Sequence, residues 1–327
     1  MACRFEVLLD GEHARFVSAA REALDEADRI EAALTVFRDT SDLVRVNRTA
    51  AGAPACVDDG LHALLTLCRE LYDRTEGAFD ITTTPLSRCW GFLQREGRLP
   101  PVADIEAARA CVGMRYVEID GAAEAAPYVA SDEASNVASD EASSVGPRFS
   151  GATVRFLRPG MELNLGSIGK GYALGRMAAS LRRRGVTDAL VSAGGSSVFA
   201  LGGPDGGWPI DLRSRRVARR LARLRLRNGA LGTSGAAEQY VEVDGLRYGH
   251  VLDPRTGWPA AGVLSASVVT GDAATADALS TAFLVGGVHL AEQYCAAHSD
   301  TLAIVTPDDG SEEPRVFGRF EGVELET

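Results

Sequence analysis

Strand patterns that follow one another without an intervening helix limit the fold of this chain more than any other feature. In the second half, such patterns occur near 188–193 and 196–201, and again near 238–243, 247–252 and 264–270. A doubly wound parallel sheet needs a helix after nearly every strand. The sequence therefore predicts an α+β fold in which mixed sheets pack against helices.

The remaining elements follow from hydrophobic periodicity. Phe16, Ala23 and Ile30 recur at helical spacing in the first long amphipathic segment. We predict helices at about 13–34, 58–75, 103–112, 168–184, 273–286 and 288–298, strands at 4–9, 115–119, 152–157 and 301–305, and an ordered loop or extended segment at 77–86. The arginine-rich segment 214–227 alternates Leu with Arg towards its end, which favours a half-buried strand over a nucleic-acid site.

An acidic eight-residue segment is duplicated in tandem in the middle of the chain. Val-Ala-Ser-Asp-Glu-Ala-Ser-Asn at 129–136 is followed at once by Val-Ala-Ser-Asp-Glu-Ala-Ser-Ser at 137–144. Such a polar stretch buries too little apolar surface to offset the entropy of ordering it. We expect one domain over 1–327, with a mobile insertion at about 121–148.

Charge and composition exclude several classes of protein. The 45 acidic and 34 basic residues give a net charge of −11, which argues against a nucleic-acid partner. No run approaches the ~18 apolar residues of a membrane-spanning helix, so we expect no membrane span. The N-terminal residues lack a leader pattern, so a cytoplasmic location is expected, or a periplasmic one if an export segment has been removed. The six scattered cysteines include no CxxC pair and are expected to be reduced.

One lysine stands out in a chain that otherwise uses arginine. Of the 34 basic residues, 33 are Arg and one is Lys170, which lies in Leu-Gly-Ser-Ile-Gly-Lys-Gly-Tyr at 165–172. The flanking glycines let the backbone approach a ligand closely. An ammonium group is a compact charge with three rotatable donors, unlike the planar guanidinium fork. Lys170 is therefore a candidate contact for a phosphate or carboxylate, with a chance surface lysine as the alternative.

Asp277 and Thr281 form a candidate cation site. They lie four residues apart in a predicted helix, so both oxygens are on one face. Magnesium takes oxygen ligands, usually few from the protein and the rest from water and substrate phosphate. The pair alone is a weak signal, since a capping or surface pair has the same spacing.

His250 is the candidate general base. It lies in Tyr-Gly-His-Val-Leu-Asp-Pro-Arg-Thr-Gly at 248–257, where a turn signal follows a strand. Imidazole is the default base for deprotonating a hydroxyl near neutral pH. Two small-residue turns, at 192–197 and 232–235, offer backbone N–H groups to phosphate oxygens, although tight turns are the commoner role of such segments.

Together, these segments resemble the ApbE family, the Mg²⁺-dependent FAD:protein FMN transferases. The similarity runs in order through nearly the whole chain outside the duplication: Met-Ala-Cys-Arg-Phe-Glu-Val at the start, Ser-Asp-Leu-Val-Arg-Val-Asn (41–47), Gly-Ala-Phe-Asp with Trp-Gly-Phe (77–92), Leu-Gly-Ser-Ile-Gly-Lys-Gly-Tyr-Ala, Ser-Ala-Gly-Gly, Thr-Ser-Gly, His-Val-Leu-Asp-Pro-Arg-Thr-Gly and Ala-Asp-Ala-Leu-Ser-Thr-Ala. The resemblance implies an ApbE-like fold with an FAD cleft between lobes.

The resemblance also implies a reaction and a set of roles. FAD is the substrate, FMN passes to a Thr or Ser hydroxyl of an acceptor protein, and AMP leaves. Asp277, Thr281 and the backbone carbonyl of Ser167 would hold Mg²⁺, and His250 would deprotonate the accepting hydroxyl. The residues implied at the cofactor cleft are Asn47, Asp80, Lys170, Gly194, Gly195, Ser234 and Glu238.

Two positions depart from the family pattern and leave the function open to alternatives. Asn164 and Ser196 stand where the family usually has Asp, so two carboxylates near the expected cleft are missing. Water could replace the accepting hydroxyl, which would make the chain an FAD pyrophosphatase that releases FMN and AMP. A protein that binds FAD without turning it over is the third hypothesis.

Overall fold

A computed structural model describes residues 3–121, 151–213, 220–236, 239–311 and 313–326. Apart from residue 121, the predicted insertion at 121–148 lies outside the described residues, as does the duplication within it. The described helices are α1 (Val17–Leu34), α2 (Asp42–Thr49), α3 (Asp59–Arg74), α4 (Thr84–Cys89), α5 (Val102–Arg109), α6 (Gly169–Arg183) and α7 (Ala273–Ala297).

Fifteen short strands make up the described β structure. They are β1 (Phe5–Leu9), β2 (Ala55–Cys56), β3 (Val117–Asp120), β4 (Thr153–Phe156), β5 (Ala189–Ala193), β6 (Ser197–Leu201), β7 (Trp208–Arg213), β8 (Arg220–Leu226), β9 (Gly229–Gly235), β10 (Tyr240–Val243), β11 (Leu246–Gly249), β12 (Val263–Thr270), β13 (Leu302–Pro307), β14 (Arg315–Gly318) and β15 (Val323–Glu326).

A seven-stranded sheet organises the fold. Its order is β1-β5-β6-β9-β12-β13-β14, and every neighbouring pair is antiparallel. The turn between β5 and β6 uses Gly194 and Gly195 at φ +60° and +71°, a conformation that glycine adopts without strain. Three-stranded sheets β15-β8-β7 and β2-β4-β3 and the hairpin β10-β11 complete the described sheets. The predicted α+β class, with sheets packed against helices, is confirmed.

Both faces of the large sheet are buried, because its strands alternate apolar side chains between two layers. In β13, Ala303 and Val305 pack into the main core, while Leu302 and Ile304 pack on the opposite side. Helices α1, α6 and α7 cover the first side, and the small sheet β15-β8-β7 covers the second. This layering fixes α6 and α7 against the strands that carry the candidate residues.

The arginine-rich segment forms a strand where it is described. Leu224 and Leu226 of β8 are buried, while Arg223 and Arg225 pair with carboxylates of neighbouring strands, Glu326 among them. The predicted half-buried strand is therefore confirmed over 220–226, and residues 214–219 lie outside the described part.

Three local predictions differ from the structure. The segment 232–235, predicted as a turn, lies in the central strand β9. The segment 77–86, predicted without helix, runs into α4 at Thr84. The first helix begins as a 3₁₀ turn over Gly11–Phe16 before α1.

Helix α7 is the most apolar of the seven described helices. It is interrupted at Gly287 (φ +80°, ψ −175°), which agrees with the predicted helices on either side of residue 287. It is long and apolar enough to pass as a membrane span, with a mean hydropathy of 1.2 over its best window, but 61% of that window is buried inside the fold. Such burial is typical of a core helix.

Candidate active site

A cleft of about 490 Å³ gathers most of the predicted site residues. Its walls come from the segments before α4 and α6, the β5–β6 turn, the end of β9, the residues after β11, and one face of α7. The candidate residues that line it are Asp80, Ser167, Lys170, Gly194, Ser234, His250 and Thr281. Of the described lining residues, Lys170 is the only one with a fixed positive charge, although the chain has 33 arginines.

A buried ion pair joins α6 to α7 beneath the cleft. Lys170 Nζ lies 3.0 Å from Asp277 Oδ1, and the Asp277 side chain is 3% exposed against 21% for Lys170. The same carboxylate accepts hydrogen bonds from the Ser197 hydroxyl (3.1 Å) and the Gly171 backbone N–H (3.1 Å). Because Gly171 is in the first turn of α6, Asp277 also satisfies a helix N-terminus and lies at its positive end.

Two glycines let α7 approach close enough to make these contacts. A Cβ at Gly171 would lie 2.8 Å from Asp277 Cβ and would also strike the Ala273 carbonyl. A Cβ at Gly232 in β9 would meet the backbone of α7 at 2.5–2.7 Å. These contacts are shorter than real Cβ contacts, so the glycines are required by packing.

A chain of hydroxyl groups determines how Thr281 faces the cleft. The Ser280 hydroxyl donates to the Asp277 carbonyl (2.8 Å), so its one proton is committed. Ser234 must then donate to Ser280 across 2.8 Å, and Thr281 must donate to Ser234 across 3.1 Å. The lone pairs of the Thr281 oxygen therefore stay available to a ligand.

The backbone beside His250 sets the tautomer of its ring. His250 Nδ1 lies 3.1 Å from the Gln239 carbonyl oxygen, which also accepts the His250 backbone N–H at 2.9 Å. A carbonyl oxygen only accepts, so Nδ1 carries the proton and Nε2 is the nitrogen able to take one. The Gln239 side-chain amide donates to the Phe92 carbonyl at 3.3 Å, which anchors this segment.

Asp80 and Asn47 hold backbone segments next to the cleft. The Asp80 carboxylate accepts from the Thr82 N–H (2.8 Å) and hydroxyl (2.6 Å) and from the Met114 N–H (3.2 Å). Burial raises the pKa of this carboxyl above its ordinary value, against the lowering effect of those hydrogen bonds. Asn47 lies outside the lining, and its amide exchanges two hydrogen bonds with the Leu163 backbone (2.8 and 2.9 Å).

Of the other predicted positions, some line the cleft and others do not. Asn164 and Ser196, which depart from the Asp of the family pattern, both line the cleft, and the Asn164 side chain accepts the Gly166 N–H at 2.9 Å. Gly195 lies next to Gly194 but outside the lining. Glu238 is not among the described residues.

Three groups that matter for this geometry were not predicted individually from the sequence. Ser197 and the Gly171 N–H hold the buried carboxylate, and Gln239 holds the imidazole. The last two act through backbone atoms, which every residue has. Of these, only Gly171 could be recognised in the sequence, because a glycine next to Lys170 indicates that the backbone there approaches another group closely.

A hard cation fits the oxygen donors around Asp277. Among the described residues, no group of three or more His, Cys, Asp or Glu side chains is placed to hold a metal ion. Magnesium needs fewer protein ligands than that, because water and substrate phosphates complete its shell. Asp277 offers a buried carboxylate whose oxygens in this structure accept from Lys170, Ser197 and Gly171, so a bound cation would compete with the Lys170 ammonium for it. Thr281 offers lone pairs that its own hydrogen bond leaves available. The donor chemistry therefore suits Mg²⁺ rather than a softer metal.

Comparisons with known sequences find relatives over most of the chain. A family model described as the ApbE family matches residues 1–306. An FAD:protein FMN transferase of Rhodobacter capsulatus is 33% identical over 284 residues, which cover 84% of this chain and 48% of that protein. One of Treponema pallidum is 29% identical over 308 residues, covering 90% and 77%. The chain thus spans about half the length of the first relative and about three quarters of the second.

Solved structures resemble the whole fold. The ApbE protein of Thermotoga maritima superposes with a TM-score of 0.76 at 27% identity, covering 98% of this chain and 93% of that one. The flavinyl transferase ApbE of Pseudomonas stutzeri in its apo form superposes at 0.74 and 26% identity, covering 96% and 94%.

Proposed function

The chain belongs to the ApbE family, and on that premise we propose that it is a Mg²⁺-dependent FAD:protein FMN transferase. In this reaction an acceptor hydroxyl attacks the phosphorus on the FMN side of the FAD pyrophosphate. The phosphorus–oxygen bond to AMP breaks, AMP leaves, and FMN stays on the acceptor as a phosphoester. The observation that carries the proposal is one cleft lined by both Lys170 and His250, with Asp277 beneath it as the ion-pair partner of Lys170.

Lys170 provides charge for the pyrophosphate. Phosphoryl transfer depends mainly on positioning and on neutralising charge at the non-bridging oxygens. Lys170 is the one permanent cation among the described lining residues, and the ion pair with Asp277 holds its ammonium in place. The N-terminus of α6 adds partial positive charge at the same point.

His250 takes the proton of the acceptor hydroxyl. Its Nδ1–H bond to the Gln239 carbonyl presents Nε2 as the base. A Thr or Ser hydroxyl is almost fully protonated near pH 7, so a positioned base raises its nucleophilicity as the bond to phosphorus forms.

Asp277 and Thr281 would hold Mg²⁺, with the Ser167 carbonyl as a third oxygen. When bound, the ion supplies Lewis-acid neutralisation of the pyrophosphate and of the leaving AMP. The chain's own contribution is the arrangement of donors: a carboxylate fixed by Ser197 and Gly171, and a hydroxyl oriented by Ser234.

The metal assignment is tested by AMP release from FAD over a range of Mg²⁺ concentrations. Thr281→Ala should raise the Mg²⁺ concentration for half-maximal release by about tenfold or more. Asp277→Ala should lower the rate at saturating Mg²⁺ by about a hundredfold.

Thr66→Ala is the matched control. Thr66 is an exposed threonine of α3 whose hydroxyl donates to the His62 carbonyl of its own helix, and it is not among the described residues that line the cleft. It should leave the Mg²⁺ dependence unchanged. Equal Mg²⁺ curves for Thr281→Ala and Thr66→Ala would remove Thr281 from the metal site.

A further inference from the structure

Strand β1 forms one end of the large sheet and has an apolar groove beside it. Among the described strands, β1 pairs only with β5. A groove of about 470 Å³ runs along β1 and α1, and its apolar lining comes from Val7, Leu8, Leu9, Val17, Ala20 and Leu24. Leu8 is 54% exposed and Val17 49% exposed. An edge with these properties is a template for another strand.

The groove continues the side of the sheet that α1 covers. Phe5, Val7 and Leu9 point to the layer of α1, while Glu6 and Leu8 point to the other side. Val17 and Leu24 of α1 reach past β1 and line the groove. An added strand therefore needs apolar side chains on its α1-facing side, which is the pattern of β1 itself.

The charges at the ends of β1 select the occupant. In an antiparallel pair of two β1 strands centred on Val7, residues i and 14 − i lie opposite each other. Arg4, whose guanidinium also lies 3.2 Å from the carboxylate of Glu6 in its own strand, then faces Asp10 of the second copy at both ends. Phe5 faces Leu9 on the side of α1. We propose that this chain forms a two-fold symmetric dimer in which β1 pairs with β1 of a second copy around Val7.

Neighbouring registers are less favourable. Centring the pair on Leu8 places Glu6 opposite Asp10, so like charges meet twice, which destabilises a sheet. Centring it on Glu6 places Arg4 opposite Leu8, so no opposite charges are paired. Of these three registers, only the one at Val7 aligns opposite charges.

The dimer brings the second copy to the rim of the cleft. Cys3 lines the cleft, and the Arg4 carbonyl accepts the Gly194 N–H at 3.0 Å, so β1 begins at the cleft. In the dimer, Arg4 of one copy faces Asp10 of the second copy. The turn that follows β1 in the second copy therefore lies beside the cleft rim of the first. At about 3.4 Å per residue, the two Cys3 positions lie roughly 27 Å apart along the strands.

Sedimentation equilibrium of the full chain tests the proposal through a charge-swap cycle. Arg4→Asp and Asp10→Arg each place like charges at both ends of the pair, and each should raise the dimer dissociation constant about tenfold. The double variant Arg4→Asp/Asp10→Arg restores opposite charges and should bind nearly as tightly as the native chain. Thermal melting of each variant confirms that it is folded.

Arg38→Asp is the control, because it makes the same charge change at an exposed residue outside β1. It should leave the dissociation constant unchanged. A native chain that stays monomeric at its highest soluble concentration overturns the proposal. A dimer whose constant is the same in all variants, or a double variant that stays as weak as the single ones, also overturns it.

Discussion

Replacing Lys170 with Met should destabilise the folded protein by more than a surface substitution does. Lys170→Met keeps the length and apolar stem of the side chain and removes its ammonium. The Asp277 carboxylate, 3% exposed, then retains only the Ser197 hydroxyl and the Gly171 N–H as donors. Burying a charge without a counter-charge costs free energy, so the folded state is destabilised.

The size of the effect follows from the burial of the two partners. Removing one partner of a fully buried pair costs about 3–5 kcal/mol. Here Lys170 is 21% exposed, so water already screens part of the pair. The N-terminus of α6 continues to stabilise the carboxylate by about 0.3–1 kcal/mol. We therefore expect Lys170→Met to lower the free energy of unfolding by about 2–3 kcal/mol.

Urea unfolding followed by circular dichroism measures this change as a shift in midpoint at constant slope. The variant Lys170→Arg retains the charge and should lose less. The double variant Lys170→Met/Asp277→Asn should recover part of the loss, because the unpaired carboxylate is gone. A loss below about 0.5 kcal/mol for Lys170→Met, as for a surface substitution, would refute the reasoning.

Three further changes test other parts of the site. Gly171→Ala should displace α7 and lower both stability and the rate of AMP release, because its Cβ has no room against Asp277; an unchanged melting temperature would contradict this. Gln239→Leu removes the hydrogen bond to the Phe92 carbonyl that anchors the segment holding His250, and should therefore shift the pH profile of AMP release. A lower rate with an unchanged pH profile would mean that Gln239 has a packing role only. The raised pKa of Asp80 means that its contribution to stability is complete below the unfolded pKa and declines as pH rises through the folded one. The stability difference between the native chain and Asp80→Asn should therefore fall with rising pH across that range, and a constant difference in urea unfolding would argue against a buried, titrating Asp80.

The periodic elements of the fold were predictable because burial imposes their periods. The strands at 188–193, 196–201 and 264–270 and the helices at 58–75 and 168–184 are observed within one or two residues. Their apolar spacing matches the layer that each element faces.

The strand β9 shows why the rest was not predictable. Its Gly229–Gly235 sequence is typical of a turn, yet it lies in the middle of the sheet. Gly232 is there because the backbone of α7 passes directly over it, which is a tertiary constraint. Helix α2 has only eight residues, too few for its apolar period to stand out, although Ser41 caps the Val44 N–H and Asp42 and Arg48 carry the favourable charges at its two ends.

The candidate site, too, was predictable only in part. Lys170, Asp277, Thr281 and His250 were recognisable as unusual side chains in ordered motifs. The structure places Lys170, Thr281 and His250 in the lining of one cleft and Asp277 beneath it, paired with Lys170. The orientation of the imidazole depends on a backbone carbonyl and was not predictable.

The most direct test of the reaction is to incubate the protein with FAD, Mg²⁺ and an acceptor peptide that contains Thr. AMP is then quantified by chromatography, and the mass of the peptide is measured by mass spectrometry in the same sample. A transferase should give an FMN-sized mass increase on the peptide, matched mole for mole by AMP, and no increase on a peptide with Val in place of Thr. His250→Ala should slow both signals together by about 10²–10⁴-fold. AMP with free FMN and an unmodified peptide, across a range of acceptor sequences, would contradict the transferase and indicate a pyrophosphatase. Bound FAD without any AMP would indicate a flavin-binding protein.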